Sequence, residues 1–198
     1  MTPMTNNVLG DMFGAHEGAR LRAKQIALVI VGVAVLALAS KIRVPAWPVP
    51  ITLQTLAVLT IGTAYGARLG LVTLLAWVAL GAAGLAVFAG DKAGLAYIAG
   101  PTGGYLVGFV VAAAAMGAMA RKGMDRTVLG MAGAMLIGTA IIYAFGLMGM
   151  SFIFLAENGA AWVIKFGFTN FIVGDIVKMV IAAMIIPGVW KLVGNARS

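Results

Sequence analysis

The sequence has no cysteine and only one histidine, His16. Without cysteine the chain can form no disulfide and no thiolate metal site, and thiol chemistry is excluded. One histidine cannot form a cluster, and His16 stands in a polar N-terminal stretch where a solvated side chain is expected. The six acidic residues are scattered and suggest no paired-carboxylate site. We therefore expect no catalytic residues, no bound metal, no cofactor and no enzymatic activity.

Charged residues are scarce as well. Only 10% of the 198 residues are charged and 62% are hydrophobic, with a mean hydropathy of +1.04. A soluble domain has about 25% charged and about 45–50% apolar residues. Proline is rare, with 6 residues, whereas the 27 glycines suit closely packed transmembrane helices. The composition predicts an all-α integral membrane protein.

Six apolar stretches are candidate spans, because a helix needs about 17–25 residues to cross a bilayer. They cover about 24–42, 51–67, 69–89, 104–120, 127–149 and 170–192. The sequence from 150 to 170 contains Glu157, Asn158 and Gly159, which predict an outer loop with a short interfacial or re-entrant helix. We thus expect a cytoplasmic tail at 1–23, a six-helix domain at 24–192 and a second tail at 193–198.

Lysine and arginine predict the orientation, because cytoplasmic loops are enriched in them. With the N-terminus inside, nine basic residues fall in inner segments: Arg20, Arg22, Lys24, Arg68, Arg121, Lys122, Arg126, Lys191 and Arg197. Three fall outside: Lys41, Arg43 and Lys92. Both termini are therefore predicted to be cytoplasmic. Because the net charge of +8 is dispersed between apolar runs, it indicates membrane topology rather than a nucleic-acid partner.

The same orientation places the unusual sequences outside. They are the proline-rich VPAWPVPITLQT (44–55), the glycine-rich AGDKAGLAYIAGPTGGY (89–105) and the start of FIVGDIVKMVIAA (171–183). Gly100 to Gly104 predict a tight turn into a helix, but the spacing is not that of a phosphate-binding Walker A loop. Tyr105 after this turn fits either a membrane-interface residue or a ligand contact. The inner loops are short and basic, so ligand recognition is expected on the outer side.

Asp175 and Lys178 are ionisable residues within a predicted span, where each costs about 2.5–3.5 kcal/mol at the helix centre. Their spacing places both side chains on one helical face. Two interpretations follow. The pair neutralises itself near the interface, or Lys178 meets a ligand anion while Asp175 accepts hydrogen bonds from ligand N–H groups.

Gln54 lies at the outer end of the second predicted span, after Pro48 and Pro50. Its amide both donates and accepts, which suits a ligand with N–H and C=O groups along one edge. Thr52 either caps the helix or contributes a hydroxyl to the same site. Trp47 is interpreted as an interfacial anchor or as a lid over the ligand.

Three motifs occur in order: PVPITLQTL, GPTGGYLVGF and NFIVGDIVK, the last of which begins at Asn170. Together they resemble the BioY family, the biotin-specific S components of energy-coupling factor (ECF) transporters, over roughly residues 25–192. The resemblance implies a six-helix fold that captures biotin at the outer face. Delivery inward would then use a transmembrane coupling protein and cytoplasmic ATPases, in a bacterial inner membrane.

The resemblance implies a substrate site made of Asp175, Lys178, Gln54, Thr52, Asn170, Tyr105 and Trp47. Biotin carries a ureido ring with two N–H groups and one C=O group, an apolar bicycle and a carboxylate. We expect Asp175 and Gln54 to meet the ureido edge and Lys178 to meet the carboxylate. The alternatives are an S component for another vitamin and a small facilitator.

Overall fold

The computed structural model describes residues 7–14 and 16–195. Its helices are α1 (Gly18–Lys41), α2 (Gln54–Ala82), α3 (Leu95–Ile98), α4 (Gly103–Arg121), α5 (Val128–Gly167) and α6 (Ile172–Asn195). Three 3-10 turns lie at Leu9–Met12, Met124–Arg126 and Thr169–Phe171. Two short strands, β1 (Arg43–Val44) and β2 (Ile51–Thr52), form an antiparallel pair. The expected all-helical architecture is confirmed.

α2 consists of two helical limbs that meet at Gly66. This glycine has φ 78°, a left-handed conformation that side chains with a Cβ rarely adopt. A Cβ built on Gly70 would lie 3.2 Å from the Cα of Gly62, although eight residues of straight helix span about 12 Å. The chain therefore folds back at Gly66. The two limbs correspond to the stretches predicted at 51–67 and 69–89.

α5 extends further than predicted. The fifth stretch was expected to end at 149, but helical backbone continues to a break at Gly159, where φ is 79°. The rings of Phe154 and Trp162 then lie 5.1 Å apart, so the chain folds back there too. The prediction that the helix ends at 149 is wrong, because Glu157 and Asn158 are exposed at the end of the helix and need no loop. A short returning limb follows, at 160–167.

α4 is the central helix and packs against α2 and α5. Small residues allow these close approaches, which is how transmembrane helices commonly associate. A Cβ built on Gly149 of α5 would lie 2.9 Å from the Cα of Gly104 in α4. On the other side of α4, a Cβ on Gly62 would lie 2.8 Å from the Cα of Ala113. This packing holds the start of α4 against α5 beside the site described below.

The N-terminal segment packs onto one end of the bundle. α1 begins at Gly18, before the predicted span start at 24, and Val8, Leu9 and Met12 are buried. Asp11 forms an ion pair of 3.3 Å with Arg121 at the end of α4. Residues 1–6 and 196–198, parts of the two predicted tails, lie outside the described residues.

The surface is apolar along the helices. Within the described part of the chain, four helical segments are long and apolar enough to cross a membrane: Gly18–Lys41, Gln54–Ala82, Gly103–Arg121 and Val128–Val193. Large side chains such as Leu129, Phe152 and Val173 are more than three-quarters exposed, at 86%, 86% and 76%. Such exposure is expected where lipid rather than water surrounds the protein. The fold is that of a multi-pass membrane protein.

Candidate functional site

A buried ion pair lies at the start of α6. The Lys178 Nζ atom is 2.8 Å from Oδ1 of Asp175, one helical turn away. Asp175 and Lys178 are only 8% and 6% exposed. Since Asp175 is in the first turn of α6, the positive end of the helix dipole also favours its carboxylate. The two side chains therefore lie on one helical face, as their spacing predicted.

Tyr143 of α5 completes this cluster. Its hydroxyl donates a hydrogen bond to Oδ2 of Asp175, so each carboxylate oxygen has one protein partner. Tyr143 is not among the site residues predicted from the sequence. A usable signal existed, because a buried tyrosine hydroxyl usually finds a hydrogen-bond partner and Tyr143 is the one tyrosine in the predicted span at 127–149.

Gln54 and Thr52 face the same cluster from the junction of β2 and α2. The Thr52 hydroxyl donates to Oε1 of Gln54 at 3.0 Å and accepts from the Gln54 backbone N–H at 3.2 Å. Thr52 therefore binds the first backbone N–H of α2, next to the N-cap Leu53, and also fixes the orientation of the Gln54 amide. Nε2 of Gln54 is buried without a hydrogen-bond partner among the described residues. A buried unpaired donor is costly and signals a ligand or water partner.

Aromatic rings form the wall between the helices. The Tyr105 hydroxyl donates to the carbonyl oxygen of Gly167 at 2.6 Å, which ties α4 to the end of the returning limb of α5. The Tyr105 ring lies 6.4 Å from the rings of both Tyr143 and Phe171. These rings give the charged cluster an apolar aromatic wall.

These groups line one buried cavity of about 40 Å³. The lining residues are Val49, Pro50, Thr52, Gln54, Thr55, Thr102, Tyr105, Phe109, Ile142, Tyr143, Phe171, Asp175 and Lys178. Five of the seven predicted site residues are among them. Small-molecule pockets usually measure about 300–1,000 Å³, so this conformation is too narrow for a vitamin. The walls must separate for a ligand to bind.

The other two predicted site residues, Trp47 and Asn170, do not line the cavity. Asn170 is exposed in the turn before α6. Trp47 is 69% exposed, and its ring makes edge contacts with Trp162 at 5.6 Å and Phe154 at 6.0 Å. Trp47 thus links the segment between α1 and α2 to the fold-back of α5.

A second, open cavity of about 480 Å³ lies beside the first, and we call it the vestibule. Pro50 and Thr102 line both cavities, so they form the boundary between them. Arg43 and Lys92 are its basic lining residues, and Asp91 is the acidic one. The vestibule therefore adjoins the buried cavity at the end of the molecule that was predicted to face outward.

The opposite end of the molecule holds most of the remaining basic residues. Arg22, Lys24, Arg68 and Arg121 line one groove there. About 16 residues of helix, roughly 24 Å at 1.5 Å per residue, separate Tyr105 from Arg121 along α4. Within the described ranges no three His, Asp or Glu side chains are grouped closely enough to hold a metal ion.

Comparison with known sequences decides the family. The profile of the BioY family matches residues 12–195. The chain belongs to the BioY family. It is 37% identical over 175 residues to the probable biotin transporter BioY of Pyrococcus horikoshii, which covers 88% of this chain and 99% of that protein. It is 36% identical over 166 residues to the biotin transporter BioY of Thermotoga maritima, covering 84% and 91%.

The fold of this BioY-family chain also matches a solved structure. The crystal structure of the S-component for biotin from an ECF-type ABC transporter superposes with a TM-score of 0.76. It shares 23% sequence identity, and the match covers 89% of this chain and 95% of that one. At this identity the comparison concerns the fold alone.

Proposed function

We propose that this chain is the substrate-capture (S) component of a biotin uptake transporter. It binds biotin at the outer face of the membrane, and a coupling protein and ATPases drive delivery inward. Membership of the BioY family supports this function. The single structural observation that carries it is the buried cluster of Asp175, Lys178 and Gln54, in which the Gln54 Nε2 donor has no partner among the described residues.

The cluster complements the ureido ring of biotin. A carboxylate oxygen accepts more than one hydrogen bond, so Asp175 retains acceptor capacity beside Lys178 and Tyr143. It accepts from a ureido N–H group. Nε2 of Gln54 donates to the ureido C=O group, while Thr52 holds the amide in the required orientation. The rings of Tyr105 and Phe171 face the apolar bicycle.

The ion pair changes the role expected for Lys178. Its ammonium is 2.8 Å from Asp175, and a buried lysine neutralised by a carboxylate is a weaker partner for a second anion. The carboxylate of biotin is at the far end of a flexible chain from the ureido ring. We therefore place that carboxylate in the vestibule near Arg43, with Lys178 supporting Asp175 at the ureido end.

Binding in this scheme requires an opening movement. Val49, Pro50 and Thr52 of the segment at 43–53 line the cavity. Trp47 of the same segment contacts Phe154 and Trp162 at the fold-back of α5. Separation of these contacts enlarges the cavity from the vestibule side. Asn170, in the turn beside the returning limb, reaches the ligand only after such a change.

The membrane topology follows the same scheme. α1, the two limbs of α2, α4, α5 and α6 make six crossings, with both termini in the cytoplasm of a bacterial cell. The first limb of α2, at 54–65, is only about 18 Å long. The extended chain at 49–53, which packs within the protein, completes that crossing. Non-helical backbone is tolerated at such depth where it is buried in protein or lines a cavity.

Equilibrium binding of labelled biotin to the purified protein tests the function. Saturable binding that unlabelled biotin displaces, and that other vitamins do not displace, is expected. Displacement by a different vitamin instead identifies an S component of another specificity. Biotin counterflow in vesicles that lack the coupling protein and ATPases identifies a facilitator. Either outcome overturns the proposal.

A further inference from the structure

The groove at the opposite end of the molecule has its own chemistry. It lies between the first half of α1 and the Gly66 turn of α2, and its volume is about 710 Å³. Its lining residues are Gly10, Asp11, Leu21, Arg22, Lys24, Gln25, Ile26, Leu28, Val29, Ile30, Tyr65, Arg68, Leu69, Val72 and Arg121. It shares no lining residue with the buried cavity or the vestibule.

The groove carries an uncompensated positive charge. Four basic residues line it against one carboxylate, Asp11, which is already paired with Arg121. Arg22, Lys24 and Arg68 form no ion pair with any carboxylate among the described residues. Three cationic side chains that line one groove attract an anionic group such as a phosphate.

The remaining wall of the groove is apolar and exposed at the protein surface. Ile26 and Ile30 of α1 are 62% and 64% exposed, and Val72 of α2 is 45% exposed. They follow the basic residues of the groove along two helices that are predicted to span the membrane. A ligand that fills the groove therefore combines an anionic head with a long apolar chain. Basic pockets between transmembrane helices bind lipid headgroups in this way.

We propose that this groove is a binding site for an anionic phospholipid. Its phosphate lies among Arg22, Lys24 and Arg68, and one acyl chain lies along Ile26, Ile30 and Val72. Because charge complementarity selects the headgroup, a zwitterionic lipid of equal chain length binds less tightly. The bound lipid fills the space between α1 and the folded α2 and stabilises their contact.

Native mass spectrometry of the full chain in detergent, titrated with phosphatidylglycerol or phosphatidylcholine, tests the site. We expect a saturable phosphatidylglycerol adduct and at least tenfold weaker phosphatidylcholine binding. The variant with Arg22→Gln, Lys24→Gln and Arg68→Gln should bind phosphatidylglycerol at least tenfold more weakly than wild type. A matched variant with Lys122→Gln, Lys165→Gln and Lys191→Gln loses the same charge outside the groove and should bind as wild type does.

A second variant tests the apolar wall without a change of charge. Val72→Trp places a large ring in the groove and should weaken phosphatidylglycerol binding even if the triple variant fails to fold. Inorganic phosphate at the same concentrations should not compete, because the acyl chain contributes to binding. Equal binding of both lipids to wild type, or unchanged phosphatidylglycerol binding by Val72→Trp, would overturn the proposal. Competition by phosphate would reassign the groove to a soluble anion.

Discussion

Asp175 and Lys178 form a 2.8 Å ion pair on one face of α6, and Tyr143 holds the other oxygen of the same carboxylate. This geometry is compatible with both interpretations of the pair. Burying two charges costs several kcal/mol per ion unless good geometry and further hydrogen bonds compensate. Mutation distinguishes a pair that only neutralises itself from one that contacts ligand.

The first prediction concerns that pair. Asp175→Asn and Lys178→Met should each weaken biotin binding by about 1.5–3 kcal/mol, the range for hydrogen bonds to charged groups. The double variant should not recover, because the ligand still lacks its acceptor. Titration calorimetry with each variant, after a check of folding, provides the measurement. Wild-type affinity in the double variant would show that the two side chains only neutralise each other.

The second prediction separates the two ends of biotin. If the carboxylate lies in the vestibule, Arg43→Gln should weaken biotin binding but leave the affinity for biotin amide nearly unchanged. Lys178→Met should weaken both ligands about equally. The comparison needs both ligands titrated against wild type and each variant. The reverse pattern would be a Lys178→Met variant that binds biotin more weakly but keeps its affinity for biotin amide. That result would give Lys178 the carboxylate contact predicted from the sequence.

Tyr143 is predicted to act through Asp175 rather than on the ligand directly. Tyr143→Phe should lose about 1 kcal/mol of binding free energy, roughly fivefold in affinity. Added to Asp175→Asn, it should cost little more, since residues in one hydrogen-bond network are not additive. Tyr65→Phe, at the far end of the bundle, is the control. Fully additive losses would assign Tyr143 an independent role.

The topology prediction uses reporter fusions. Fusions after Arg20, Arg68, Arg121 and Lys191 should report the cytoplasm, and fusions near Lys92 and Glu157 should report the outside. The structure groups Arg22, Lys24, Arg68 and Arg121 at one end and Arg43 and Lys92 at the other, which supports this assignment. A cytoplasmic signal near Lys92 would reverse the orientation and remove the argument for uptake.

The sequence predicted the helical architecture and five of the thirteen residues that line the cavity, because polar and charged side chains are so informative in an apolar chain. Asp175, Lys178 and Gln54 are conspicuous for that reason. Tyr143 and Phe171 stand out less, since an aromatic residue in an apolar span is ordinary, and only the need of the buried Tyr143 hydroxyl for a hydrogen-bond partner marks that residue. The predicted end of α5 at 149 was too early. Glu157 and Asn158 disfavour a buried helix, but they are compatible with a helix whose end is exposed.

The last prediction concerns Asp125, in the turn between α4 and α5. This carboxyl is 1% exposed, and its Oδ2 accepts a 2.6 Å hydrogen bond from Nε1 of Trp190 in α6. Burial raises the pKa of Asp125, and the Trp190 hydrogen bond and nearby Arg126 oppose that rise only in part.

Because the folded protein then binds the proton of Asp125 more tightly than the unfolded chain, this group favours folding most below its ordinary pKa. The contribution is lost as the pH rises through the elevated folded value. Lowering the pH from neutral should therefore raise the Tm of wild type relative to Asp125→Asn, which has no carboxyl to titrate at this position. Thermal unfolding of both proteins in one detergent across a pH series measures the difference. The raised pKa of Asp125 would be contradicted if the Tm difference between wild type and Asp125→Asn did not change with pH. It would also be contradicted if acidification lowered the Tm of wild type relative to that of Asp125→Asn.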